Sequence, residues 1–265
     1  MGQTSPFDAI ALDYDRSFTT SAIGERMRAA TWRRLDAVFA PGDRVLELNC
    51  GTGEDAVHLA RRGVRVVATD ISAAMIAVTR AKVARSGLSE MVEAAPLSIE
   101  NLAELQTTGL FDGLLSNFGG LNCVADLPPV ARGVASVLRP GARMILCVMG
   151  PTVPWEWGWY LAHGEPRKAL RRLRPFGTCW RGLMIRYPRI GDVRRAFAPY
   201  FQQSRVAAVG ALVPPSYTAE WASRHPRLLA ALDRWERRIE TLPPLPWLAD
   251  HYLIELERMV APQRA

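Results

Sequence analysis

Apolar residues recur along the first 150 positions with two alternating periods. Ile23, Met27, Ala30, Leu35, Val38 and Phe39 carry the three-to-four spacing of a helix, and Pro41-Gly42 ends it. Residues 44–49 (RVLELN) then read as a short strand, 54–62 as a helix closed by Gly63, and 64–70 (VRVVATD) as a second strand. That second strand has almost no polar alternation before its acidic end, as expected of a strand buried on both faces of a parallel sheet. Ser72 is placed to cap a helix that runs to about Arg85 and stops at Ser86-Gly87. Strands follow at 91–99 and 111–117. Leu127, Val130, Val134, Val137 and Leu138 mark a helix ended by Arg139-Pro140-Gly141, and 142–149 (ARMILCVM) is a fifth strand.

This alternation predicts an α/β fold, a doubly wound and mostly parallel seven-stranded sheet with helices on both faces. The regularity breaks after Gly150, where PTVPWEWGWY opens a stretch rich in Trp and Arg. From Gly191 it resumes with a helix at 192–200 and a strand at 202–213. A helical segment starts near Thr218, and Pro226 opens a further helix at a position that needs no N–H. Leu229, Leu232, Trp235, Ile239 and Leu242 form its apolar stripe, and 251–259 reads as the last strand. The expected organisation is a core over 1–150 with an N-terminal helical cover, a lid-like insertion over 151–190, and 191–265 completing the core around a second, helical insertion at 214–250.

Composition narrows the class. With 49% hydrophobic and 22% charged residues, the 265-residue chain has material for a substantial core, which excludes a disordered protein. No apolar run approaches the ~20 residues that span a bilayer. MGQTSPFDAI has no basic segment followed by an apolar one, so no secretory signal is expected. The net charge of +7 is unevenly spread: residues 1–150 hold 15 basic and 16 acidic side chains, residues 151–265 hold 18 and 10. A basic second half suits an acidic substrate, a nucleic acid, an anionic membrane surface, or a merely solvated face. Cys50, Cys123, Cys147 and Cys179 form no CxxC pair, which argues against a zinc site or a disulfide framework and fits a cytoplasmic protein.

The chemistry concentrates in Val45-Leu46-Glu47-Leu48-Asn49-Cys50-Gly51-Thr52-Gly53, which ends one strand and opens a helix. Gly51 and Gly53 let backbone approach a ligand closely, and the helix that follows presents free N–H groups. Asp70 ends the second strand, where an acid can accept hydrogen bonds from both ribose hydroxyls of a nucleotide. Gly51-x-Gly53-x-x-Ala56 also satisfies a dinucleotide fingerprint, which leaves an NAD-dependent oxidoreductase as an option. Glu47 shifts the balance. A carboxylate beside the loop repels a pyrophosphate and attracts a ligand with an ammonium and a sulfonium, as S-adenosylmethionine has.

VLELNCGTGEDAVHLA resembles the first motif of the class I S-adenosylmethionine-dependent methyltransferases, of the form VLDxGCGxGxxxxxLA. The resemblance continues through VVATDIS, FDGLLSN and LRPGARMIL, covers roughly residues 7–149, and includes FDAIALDYDRSF, which is similar to an N-terminal segment of small-molecule members. It implies S-adenosylmethionine as cofactor, with Gly51 and Gly53 near its methionine part, Glu47 near its ammonium and Asp70 on its ribose. It further implies Ile71 and Met75 on the adenine, Ser98 or Ile99 at the adenine edge with Glu100 as a substitute acid, Asn117, Phe118 and Gly119 on the methyl-donating face, and Tyr14 closing the site. Asn49 stands where the family has glycine. Asn tolerates left-handed backbone, so binding should survive.

Methyl transfer from a sulfonium is an in-line displacement that needs orientation and a dry site but no metal. A general base is required only for acceptors that lose a proton. Among four histidines, His163 follows the Trp-rich stretch and is the first candidate for that role, with Tyr160 beside it. Residues 167–195 hold ten basic side chains against Asp192 alone, and Trp155, Trp157, Trp159 and Trp180 lie nearby. Together these predict a small-molecule methyl acceptor, large, aromatic or acidic, under the insertion. An RNA methyltransferase and a non-catalytic S-adenosylmethionine-binding protein are the alternatives.

Overall fold

The computed structural model describes residues 5–105 and 108–260, apart from the side chain of Ser17. Among the described residues nine strands run in chain order: β1 (Arg44–Leu48), β2 (Arg65–Asp70), β3 (Val92–Pro96), β4 (Phe111–Ser116), β5 (Leu138–Met149), β6 (Thr178–Trp180), β7 (Leu183–Ile185), β8 (Phe201–Val209) and β9 (His251–Arg258). Seven of them form one sheet in the order β3-β2-β1-β4-β5-β9-β8, and β6 and β7 make a separate hairpin. β1 to β5 pair in parallel, while β9 runs antiparallel between β5 and β8. The order reverses direction at β1 and β4, so their carboxyl ends open a crevice, the place where such sheets bind ligands.

The helices are α1 (Ala22–Val38), α2 (Glu54–Arg61), α3 (Ala73–Arg85), α4 (Leu127–Val137), α5 (Pro154–Ala162), α6 (Pro166–Ala169), α7 (Ile190–Phe197), α8 (Ala219–Arg224) and α9 (Pro226–Ile239). Strand alternation splits the core between the two sheet faces. Val45, Leu115, Ile145 and Leu253 pack with Ile23, Leu35, Val57 and Ile76 on one side. Leu46, Leu114, Met144, Leu146 and Ile254 pack with Val130, Val134, Val193 and Phe197 on the other. Successive residues of one strand thus serve opposite layers, and burial on both faces makes the strands read as continuous apolar runs.

Boundaries differ from the sequence expectation where turn chemistry intervenes. β3 stops at Pro96, and Ser98 caps a 3₁₀ segment by accepting the Glu100 N–H at 3.3 Å. β5 begins at Leu138, because Leu138 already pairs with Phe111 before the register shifts to Gly113 and Arg143. β8 ends at Val209, since Gly210 turns left-handed (φ 75°). Ser72 does cap α3, accepting from the Met75 N–H at 3.1 Å.

The expected insertion divides into two parts with different work. α5 lies against the segment after β8: the Trp155 Nε1–H donates to the Leu212 carbonyl (3.1 Å), and Tyr160 packs on Tyr217 with centroids 5.2 Å apart. Buried Glu156 accepts from Arg171 (2.8 Å) and Arg172 (2.8 Å), and Arg172 also donates to Asp250. The β6–β7 hairpin instead reaches the sheet's ligand edge, where Trp180 packs on Phe7 at 5.2 Å.

Candidate functional site

The turn after β1 is built from left-handed backbone. Asn49, Gly51 and Gly53 have φ of 53°, 54° and 79°. Asn49 holds that conformation while its amide ties the turn to β4: Nδ2–H donates to the Asn117 carbonyl (2.6 Å) and Oδ1 accepts from Ser116 Oγ (2.6 Å). A Cβ at Gly53 would stand 2.6 Å from Thr79 Cγ2, so glycine here lets α2 seat against α3. A Cβ at Gly51 would meet nothing within 4 Å. Its open side faces a cavity of about 410 Å³.

That cavity lies over the carboxyl ends of β1, β2 and β4. Asn49, Cys50, Gly51 and Thr52 line it beside Asp70, Ile71, Ser98, Ile99 and Glu100; Asn117, Phe118, Gly119 and Tyr14 line it as well. Asp70 Oδ2 accepts from the Gly51 N–H (2.9 Å) and Oδ1 from the Ser72 N–H (2.8 Å). Each oxygen keeps a further lone pair for a ligand hydroxyl. Burial raises the Asp70 carboxyl above its ordinary value, and those two N–H groups hold the rise back. Ile71 is 45% exposed, and its side chain offers the cavity an apolar surface.

Three residues expected at the cofactor do not line the cavity: Met75, Glu47 and Gly53, whose side toward α3 is filled by Thr79. Met75 is buried and does not line it; its helix start turns the side chain inward. Glu47 lies behind the turn at 1% exposure, and its Oε2 has no hydrogen-bond partner. Burial, with Asp55 nearby, pushes its carboxyl well above the usual range. His163 and Tyr160 are also absent from the lining. The exposed His163 ring stacks on Trp159 (4.4 Å), and its Nδ1 lies 2.7 Å from the Trp159 carbonyl, closing the end of its own helix. Tyr160 is occupied by Tyr217 and by the Arg171 guanidinium 5.5 Å from its ring.

The sequence reading missed a polar cluster at the cavity's other end. Arg28 and Asp55 both line it, and both are buried. Asp55 accepts from Arg28 (2.8 Å), Trp32 Nε1 (2.6 Å) and Asn117 Nδ2 (2.8 Å), and despite burial these donors hold its carboxyl below the ordinary value. Arg28 retains an unpartnered Nε and lies 5.0 Å from the centre of the Phe118 ring. The available signal was its spacing: Arg28, Thr31 and Leu35 fall on one buried stripe of α1.

The N-terminal segment closes over this cavity. Ser5, Pro6 and Phe7 line it, Asp8 accepts from Ser72 Oγ (2.5 Å), and Asp15 accepts from Thr52 Oγ1 (2.6 Å) and Lys82 Nζ (2.7 Å). Leu183 of the hairpin completes the cover. The donor set fits a nucleoside with a cationic tail. It combines an acid with spare lone pairs, a turn without side chains, an apolar flank and an orphaned buried carboxylate oxygen behind the turn.

Residues 45–141 match the family model described as a methyltransferase domain. The chain is 33% identical over 159 residues to a demethylmenaquinone methyltransferase of Clavibacter sepedonicus, covering 58% of this chain and 61% of that protein. It is 29% identical over 184 residues to a tRNA 5-carboxymethoxyuridine methyltransferase of Escherichia coli K12, covering 65% and 69%. The chain spans only 55–61% of the length of the first demethylmenaquinone methyltransferases it matches. Among solved structures, a putative sarcosine dimethylglycine methyltransferase from Galdieria sulphuraria shares the fold at a TM-score of 0.58 and 14% identity, over 96% of this chain and 98% of that one. With the turn, the acid at the end of β2 and the 3-2-1-4-5 strand order, these matches agree: residues 45–141 carry a methyltransferase domain on the fold of the class I S-adenosylmethionine-dependent methyltransferases.

Proposed function

We propose that the protein transfers a methyl group from S-adenosylmethionine to a small-molecule acceptor. The observation that carries this reading is the single cavity in which the Gly51 turn and Asp70 meet Tyr14, Arg28 and Phe118 under a cover. When bound, S-adenosylmethionine supplies a methyl group already activated on a sulfonium. Asp70 is assigned to the ribose hydroxyls, the Gly51 backbone to the methionine end, Ile71 to the adenine face, and Ser98 and Ile99 to its edge. Glu47, behind the turn, is assigned to the ammonium end, whose positive charge would favour the ionised form that burial of the free carboxyl opposes. Asn117, Phe118 and Gly119 are assigned to the side facing the acceptor.

Tyr14, Phe118 and the Arg28–Asp55 pair then orient the acceptor and exclude water, which is where this chain's own residues contribute to rate. Coverage by residues 5–7 and by Leu183 supports a small acceptor over a polymer. No role at the reacting atoms is assigned to His163 or Tyr160. The test is incubation of the full chain with methyl-labelled S-adenosylmethionine and fractionated cell metabolites. Label is expected in a small-molecule fraction. Label recovered only in RNA, or tight cofactor binding without any transfer, overturns the proposal.

A further inference from the structure

The first part of the Trp- and Arg-rich insertion carries its side chains inside out. In Ala169-Leu170-Arg171-Arg172-Leu173, Ala169 and Arg172 are buried, while Leu170 and Leu173 are 54% and 49% exposed. The reason is the ion-pair frame beneath: Arg172 donates to Glu156, to Asp250 and to the Gly150 carbonyl, so the arginine points inward and the leucines outward. The exposure continues through Phe176 (81%), Trp180 and Met184. Between residues 170 and 184 the chain thus presents five large apolar side chains to solvent, Trp180 and Met184 from opposite faces of the hairpin.

Cations are interleaved with them. Arg167, Lys168, Arg174 and Arg181 are all exposed. Lys168 pairs with Glu165, and among the described residues no carboxylate pairs with Arg167, Arg174 or Arg181. Exposed apolar side chains surrounded by unpaired arginine are what an anionic bilayer surface selects: the apolar groups enter the headgroup boundary and the cations meet lipid phosphate. The composition disfavours RNA, which needs accessible aromatic faces. Trp155 and Trp159 are packed against Trp221 and Tyr217, Trp180 rests on Phe7, and of the five exposed apolar side chains Phe176 alone offers a free aromatic face, too few for a stacking platform.

We propose that the surface formed by residues 167–184 docks the protein peripherally on an anionic membrane. The Trp180–Phe7 contact and Leu183 put this surface at the rim of the covered cavity. Docking therefore turns the mouth of the cavity toward the lipid. This inference goes beyond the proposed reaction and does not depend on it.

The test is co-sedimentation of the full chain with phosphatidylcholine vesicles, with and without one third phosphatidylglycerol, in the absence of methyl donor. Binding is expected only to the anionic vesicles. Arg167→Gln/Arg174→Gln/Arg181→Gln should weaken it by roughly a hundredfold, about fivefold per charge. Leu173→Ser/Phe176→Ser should weaken it by about tenfold or more. All five positions are exposed, and unchanged affinity of both variants for S-adenosylhomocysteine checks that they fold. Absence of sedimentation with anionic vesicles overturns the proposal. So does binding that the serine variant retains in full, which would be adsorption by charge alone. Retention of tRNA by the wild type, lost in the glutamine variant while vesicles are ignored, would assign the surface to nucleic acid instead.

Discussion

Gly51 and Gly53 share a left-handed backbone but differ in what surrounds them, and that difference is measurable. Gly53→Ala combines φ of 79° with a methyl 2.6 Å from Thr79 Cγ2, so it should lose about 1–3 kcal/mol of stability in denaturant titration. Gly51→Ala meets no neighbour and should lose only about 1 kcal/mol, while its methyl projects toward the cavity and lowers cofactor affinity. Equal stability losses in the two variants would contradict the packing described. Glu47 gives a pH signature. Its folded carboxyl titrates above the ordinary 4.5, so the unfolded chain releases the proton first and stability falls as pH rises from there through the folded value. Glu47→Gln removes that fall. The melting temperature of the variant relative to wild type should therefore rise between pH 5 and pH 8, and a pH-independent difference would refute the raised titration of this buried carboxyl.

At the scale of elements, α5 is held by charge rather than by a leucine face. Glu156, Arg172 and Asp250 are all buried, and the Arg172 and His251 charges keep the Asp250 carboxyl far below its ordinary value. Arg172→Leu leaves two carboxylates with one buried cation fewer and should cost about 3–5 kcal/mol, read as a shift of the denaturation midpoint. A loss below 1 kcal/mol would mean that the insertion is tied down elsewhere. The sequence legibly encoded the sheet, because β1, β2, β4 and β5 are apolar runs bounded by Gly, Pro or an acid, and Ser72 is a cap at its expected place. It did not encode the seating of α5. Trp155, Trp159 and His163 looked like a substrate cover, yet Trp155 meets Leu212, 57 residues on, Trp159 meets Tyr217, and His163 closes its own helix end. The Arg28–Asp55 pair escaped for the same reason, since charged residues on apolar stripes show their use only when the partner helix is in place.

Across the whole molecule, one cavity gathers residues from the ends of β1, β2 and β4, from α1 and α2, and from the segment after β3. The turn after β1, the end of β2, the 3₁₀ segment after β3 and the turn after β4 form its walls, and residues 5–7 with the hairpin form its cover. Binding there should stabilise the folded chain by mass action, about 2.7 kcal/mol at a hundredfold excess of ligand over Kd. The central claim is that this cavity holds S-adenosylmethionine through Asp70. Calorimetric titration with S-adenosylhomocysteine tests it most directly, with wild type and Asp70→Ala side by side. The wild type should bind and ignore NAD, and the variant should lose about 1–3 kcal/mol of binding free energy, the cost of removing a buried charged acceptor. Unchanged affinity in Asp70→Ala, or tight binding of NAD by the wild type, would contradict the account.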